Sequence, residues 1–208
     1  MGRVYGIGSL LLFGLELQIY FIAKLLKGAV VLGFFPALVG SLRILRKVME
    51  EKDVSDFSLL KELKKSDKKE FLISNQLGWA FAVLLGIQAF NLQFSQHYFN
   101  IRAFQVFTVV LLALAAMVAL YIFPLVSKYD LTFKQYVLQA FLCSVVGILE
   151  TLAIFIGMSL AMGLGIIFPP IGFFTGISLM LAPYAWFSIA VMRRFENLFY
   201  KVQGHEEA

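Results

Sequence analysis

Four long apolar runs separated by short polar breaks occupy the last two thirds of the chain: Phe71 to Gln93, Phe104 to Val126, Tyr136 to Met162 and Ile167 to Met192. A helix rising about 1.5 Å per residue needs about 20 apolar residues to cross a ~30 Å hydrocarbon core, so each run predicts one membrane span. The first third is less regular. Tyr5 to Gly40 is apolar but interrupted by Glu16, Lys24 and Lys27, and it is too long for one untilted helix. The pattern there predicts an interfacial helix within residues 1–16 and then a first span over 17–42. The expected fold is all-α: a polytopic membrane helical bundle forming a single membrane domain over 1–208. Its five transmembrane helices fall at about 17–42, 71–93, 104–126, 136–162 and 167–192.

Between the first two spans lies a stretch that cannot enter lipid. Residues 43–70 carry nine Lys or Arg and seven Asp or Glu, sixteen of the thirty-one charged side chains in the protein. Each would cost about 3 kcal/mol at a bilayer centre on insertion scales, so this loop must lie in water. Asp53 and Ser55 are suited to cap a short helix in which Phe57, Leu59, Leu60 and Leu63 share an apolar face opposite Lys61, Glu62, Lys64 and Lys65. Such an amphipathic helix can lie on anionic lipid, or it can present Phe57, Leu60, Lys61, Leu63 and Lys64 to a protein partner.

Composition agrees with a membrane protein. Charged residues make up 15% of the chain, against roughly a quarter in soluble globular proteins. The net charge of +5 does not point to nucleic acid, because fourteen of the eighteen Lys and Arg border apolar spans. They fall in the 43–70 loop, the linker Ser127 to Lys134 and the tail 193–208. By the positive-inside rule these three stretches face the cytoplasm, the N-terminus faces outside, and the protein is a multi-pass component of the cell membrane. The start of the chain lacks a small-residue cleavage site after its apolar run, so a removed signal peptide is not expected.

Ionisable groups inside spans are the natural place to look for a site. At 100° per residue, Glu16, Tyr20, Lys24 and Lys27 fall within about 80° of one another, on one helix face. Glu150 lies in the middle of the 136–162 span. Counted from the outer surface it is about as deep as Lys27, roughly 15 to 18 Å at 1.5 Å per residue. The two are therefore expected to pair, with Lys24 as substitute, either to orient helices or to contact a solute. Asn75, Gln76, Gln88, Gln139 and Ser144 are expected to make hydrogen bonds between helices. Pro36, Pro124 and Pro183 are expected to kink three spans in their cytoplasmic halves. Gly172 and Gly176 form a GxxxG pattern, which serves internal packing or a homo-oligomer face.

Candidate catalysis is absent from the pattern. Cys143 is the single cysteine, and His97 and His205 are too far apart for metal-ligand spacing and have no nucleophile beside them. No Walker, GxGxxG or HExxH motif occurs. The expectation is a protein that is not an enzyme, with no catalytic residues, cofactor or metal, and with the lipid bilayer as its first partner.

Several segments resemble one family in order along nearly the whole chain. Leu32-Gly-Phe-Phe-Pro-Ala37 is followed by Arg46-Lys47, Lys69-Glu-Phe-Leu-Ile-Ser-Asn-Gln-Leu-Gly78, Tyr121-Ile-Phe-Pro124, Tyr129-Asp-Leu131, Phe168-Pro169 and Arg193-Arg194-Phe195. These look like the YesL-like family of Gram-positive integral membrane proteins, domain of unknown function 624, in which Lys24 and Lys27 depart from a more apolar first span. The resemblance implies no catalytic residues. It implies an accessory or regulatory subunit of an ABC-type oligosaccharide importer, in contact with the permease. An independent small-solute transporter or channel, using Lys24, Lys27 and Glu150, is the alternative.

Overall fold

The computed structural model describes residues 7–51, 63, 68–98 and 102–206. Among these residues the chain forms seven helices and no strand: α1 (Ile7–Lys27), α2 (Phe34–Glu51), α3 (Lys68–Tyr98), α4 (Arg102–Lys128), α5 (Phe133–Val146), α6 (Ile148–Ile167) and α7 (Pro169–Glu206). Four are long and apolar enough to cross a membrane: α3 over Lys68–Ser95, α4, α6, and α7 over Pro169–Asn197. The architecture is a helical membrane bundle.

The apolar surface is mostly turned outward, as a lipid solvent requires. Only 11% of the most apolar window of α3 is buried, against 44% for α7, so α7 is the inner helix and α3 the peripheral one. α6 and α7 form an antiparallel hairpin, α1 and α2 pack on α7 and α4, and α4 holds α3 and α5. One core centres on the C-terminal half of α4, where Tyr121, Ile122 and Leu125 meet Val39, Leu77, Tyr136, Cys143 and Met192. A second lies between Leu17, Tyr20, Leu42, Ile154 and Tyr184. The first core and the paired charges gather at one end of the bundle, the charged end.

Two expected spans are divided. In place of one helix over 17–42, the chain reverses between α1 and α2 at Gly28–Gly33. A Cβ at Gly28 would overlap the Gly33 backbone, and one at Gly33 would overlap the Leu25 carbonyl, so these glycines let the chain fold back on itself. Ala29 and Val30 take left-handed φ values of 55° and 63° within the turn. Its amides are bonded locally, Gly28 to Lys24 O at 3.2 Å and Val30 to Leu25 O at 2.9 Å, although Val30, Val31 and Leu32 are exposed. Beyond the turn, Tyr20 lies against Gly40, which packs the two helices as a pair.

The expected 136–162 span breaks at Gly147, between α5 and α6. A Cβ there would sit 2.6 Å from Tyr121 Oη and 2.7 Å from a Val191 methyl, so only glycine lets the chain bend so close to α4 and α7. Tyr121 donates to Gly147 O at 2.9 Å and lies 3.0 Å from Thr151 Oγ1. The reversal after α6 falls at Phe168, because α6 continues to Ile167, through the gap between the expected spans 136–162 and 167–192. Pro169 then begins α7, where its missing N–H is no loss.

The prolines divide in the same way. Pro36 lies in the first turn of α2, where a helix tolerates proline, so it kinks no span. Pro124 and Pro183 are helix-interior. Pro124 cannot donate to Leu120 O, and the Tyr184 hydroxyl of α7 supplies that missing hydrogen bond. Gly157 faces Pro183, leaving 2.7 Å between a notional Cβ and Pro183 Cβ.

Candidate functional site

Polar contacts concentrate at the charged end, where α2, α3, α4, α7 and the 129–132 linker meet. Arg43 of α2 pairs with Glu70 of α3. Arg46 sits between Glu50, at 2.9 Å, and the carbonyl of Ser127, at 3.3 Å, closing the last turn of α4. Lys69 meets Asp130 at 2.7 Å, and Lys128 meets Glu196 at 2.7 Å. Arg193 approaches Glu50 at 3.8 Å. The linker is held by Tyr136, whose hydroxyl donates to Tyr129 O at 2.6 Å and accepts from Leu131 N at 3.2 Å. A capping box of Thr132 with Gln135 then starts α5.

Tyr129 donates its hydroxyl hydrogen bond to Glu196. Burial, and then that bond and the Glu196 charge, raise its phenol well above the ordinary tyrosine range. It stays a neutral donor at physiological pH.

These groups surround a cavity of about 370 Å³. Its polar wall is Arg43, Arg46, Lys69, Glu70, Lys128 and Asp130, and its apolar wall includes Leu72, Ile73, Val126 and Leu131. Gln76, expected to bond between helices, lines this cavity instead. Two other cavities are apolar. One of about 600 Å³ lies between α3, α4 and α5 beside Phe81, Gln88 and Phe141, and one of about 410 Å³ lies beside Phe34, Leu120 and Tyr184.

The expected intramembrane site does not assemble. Glu150 is buried, but Arg194 pairs with it at 2.6 Å, in place of Lys27 or Lys24. The depth count took 136–162 as one straight helix. The break at Gly147 instead puts Glu150 in the first turn of α6, where the helix dipole favours a carboxylate, beside the charged end of α7. Lys24 lies 5.8 Å from the centre of the Tyr20 ring, a cation–π contact, while Glu16 and Lys27 are exposed, so the four do not form one buried stripe.

Polar groups at depth mostly bond their own helix. Asn75 donates to Phe71 O at 2.9 Å and Ser144 to Phe141 O at 2.7 Å, where bonds between helices were expected. The links between helices come from residues that the sequence reading passed over. Ser178 donates to Gly14 O at 2.6 Å, and the Gln18 amide spans α7 at Phe173 O and Ile177 N.

Gly172 packs against Gly165, with 2.7 Å between a notional Cβ and Gly165 O, so it serves the α6–α7 hairpin; Gly176 has no neighbour within 4 Å of such a Cβ. Of the expected partner-contact residues, Phe57, Leu60, Lys61 and Lys64 lie outside the described residues, and Leu63 packs against the second core. Among the described residues no group of three His, Cys, Asp or Glu is arranged to hold a metal.

The rim residues were visible in the sequence as charges bordering spans, not as pairs. Arg46, Lys69, Tyr129, Asp130 and Arg194 all belong to the segments that carry the family resemblance, so shared membership in those segments was the available signal.

Residues 15–92 match the family described as "Protein of unknown function, DUF624". That match spans most of α1, all of α2 and most of α3, and so includes Arg43, Arg46, Lys69 and Glu70. A curated relative, "Uncharacterized protein YesV" of Bacillus subtilis (strain 168), is 36% identical over 135 residues, which are 64% of this chain and 64% of the relative. The match therefore spans a little under two thirds of the relative's length. No solved structure matches.

Proposed function

We propose, from the match of residues 15–92 to the DUF624 family, that the chain is a non-enzymatic integral membrane protein acting as an accessory or regulatory subunit of an ABC-type oligosaccharide importer. In this reading the 43–70 loop and the tail face the cytoplasm, and the charged end is the docking face for the permease or its cytoplasmic machinery. The importer assignment rests on the family resemblance, and the non-enzymatic reading on the sequence, in which no Walker, GxGxxG or HExxH motif occurs.

The observation that carries the choice of a docking role over a solute pathway is the fate of Glu150. Its charge is taken up by Arg194, and Lys24 and Lys27 lie elsewhere. The two large cavities away from the charged end are apolar, which suits lipid-facing packing better than an aqueous route. At the charged end, by contrast, Lys69, Asp130, Arg193 and Arg194 remain 54–76% exposed while paired, a fixed polar relief that a partner can read.

The test is purification from native membrane in mild detergent with a tag on the tail. Permease subunits are expected to copurify, and deletion of the gene is expected to lower oligosaccharide uptake. Absence of any transporter subunit together with unchanged uptake refutes the proposal.

A further inference from the structure

We propose that the 370 Å³ cavity at the charged end is a binding site for a phosphate-bearing anionic headgroup, that of a membrane phospholipid. Four cations line it, Arg43, Arg46, Lys69 and Lys128, against two carboxylates, Glu70 and Asp130. Glu50 and Glu196 hold Arg46 and Lys128 without lining the cavity, so the cavity wall itself carries the positive excess.

Arg46 is the fixed element. Its two terminal nitrogens are held by Glu50 and Ser127 O, which orients the guanidinium, while its Nε is buried and has no hydrogen-bond partner. A guanidinium held in place at the wall of a cavity suits a phosphate oxygen better than it suits a neutral ligand. Lys69 is the adjustable element. Its side chain is 69% exposed while it meets Asp130, and an exposed pair of this kind contributes little, so that contact does not bar the ammonium from a phosphate.

The apolar wall separates a lipid from other phosphates. Leu72 and Ile73 lie one and two residues after Phe71, at the start of the lipid-facing part of α3, and Leu72 is 59% exposed. A ligand held there meets cations on one side and hydrocarbon on the other, as a headgroup at the foot of its acyl chains does. Basic pockets between helices at a membrane surface are a general mode of anionic lipid capture.

The experiment uses the full chain in a neutral maltoside detergent, with native mass spectrometry counting retained lipid and thermal unfolding reporting stabilisation. Phosphatidylglycerol, phosphatidylcholine and glycerol phosphate are titrated separately. Phosphatidylglycerol is expected to bind at least about tenfold more tightly than phosphatidylcholine, as two or more basic side chains engaging one anionic headgroup imply. Lys69→Gln, at an exposed position that leaves the fold intact, is expected to weaken phosphatidylglycerol about fivefold, the effect of withdrawing one basic side chain. Arg46→Gln is expected to weaken it more, and where that variant unfolds, Lys69→Glu takes its place. Glycerol phosphate binding with the same dependence on Lys69 upholds the headgroup chemistry and moves its source to the water phase. Equal retention of phosphatidylcholine, or phosphatidylglycerol retention unchanged in Lys69→Gln and Lys69→Glu, overturns the proposal. None of these outcomes depends on an importer partner, so this site and the docking role stand or fall separately.

Discussion

Tyr184 and Pro124 form a pair whose energetics can be isolated. Proline at 124 removes the amide that would bond Leu120 O, and Tyr184 donates to that carbonyl from α7. Tyr184 is 4% exposed, so water has little access to the carbonyl if the phenol is lost. Tyr184→Phe keeps the ring and removes only the donor. An unpaired buried carbonyl costs about 1–3 kcal/mol, whereas bonds between helices in membrane proteins average about 0.6 and reach about 1.7. Because this carbonyl has no local amide to fall back on, the loss belongs near the upper membrane value, about 1.5 kcal/mol.

Pro124→Ala restores an amide within reach of Leu120 O, so Tyr184→Phe in that background is expected to cost under about 0.5 kcal/mol. The assay is unfolding of the four variants in mixed micelles by sodium dodecyl sulfate, followed by the fluorescence of Trp79 and Trp186. The coupling between the two substitutions then reads out directly, whatever Pro124→Ala costs alone. Equal losses from Tyr184→Phe in both backgrounds would refute the idea that the phenol stands in for the missing amide.

Three further outcomes are expected. Arg194→Gln is expected to destabilise by about 1–2 kcal/mol, between exposed and buried ion pairs, because Arg194 is 54% exposed and the Glu150 side chain 11%. Glu150→Gln is expected to cost less, since it leaves the accessible partner unpaired; the same unfolding titration refutes this if the order is reversed. Gly33→Leu is expected to abolish the folded hairpin, because its side chain would occupy the Leu25 carbonyl, and protease accessibility of the α1–α2 turn checks it. Tyr129 is neutral when folded, and its raised pKa exceeds the ~10 of an unfolded tyrosine. The stability it contributes is therefore complete below about pH 10 and is lost as pH rises above it toward the folded value. Unfolding midpoints from pH 7 to 12 are expected to fall less steeply above pH 10 in Tyr129→Phe.

The spans after residue 68 were legible because long apolar runs admit few arrangements in lipid. α3 and α4 extend the expected 71–93 and 104–126 by a few residues into polar flanks, since helices continue past the hydrocarbon. The breaks at Gly28–Gly33 and Gly147 were not legible. Glycine inside an apolar run is common, and it becomes a bend only because Leu25 or Tyr121 and Val191 occupy the place of its side chain. The error at Glu150 follows from that missed bend: a depth counted along a straight helix gave Lys27 as partner where the bent one presents Arg194. Charge density at the rim was plain from the sequence. The matching of each cation to its carboxylate depends on which helices are neighbours, and hydropathy carries no such information.

A reversal at Gly28–Gly33 also changes the parity of the threading. α1 and α2 have 21 and 18 residues, nearly equal arms, so a pair that doubles back brings the Ile7 end toward the side from which α2 departs. The exposed valines at its bend, with their amides bonded inward, are compatible with a tip that stops in oil. Among the described residues four through-going rods then remain, an even count, and reporters fused at the two ends of the protein should label the same compartment, whereas a single first crossing would put them on opposite ones.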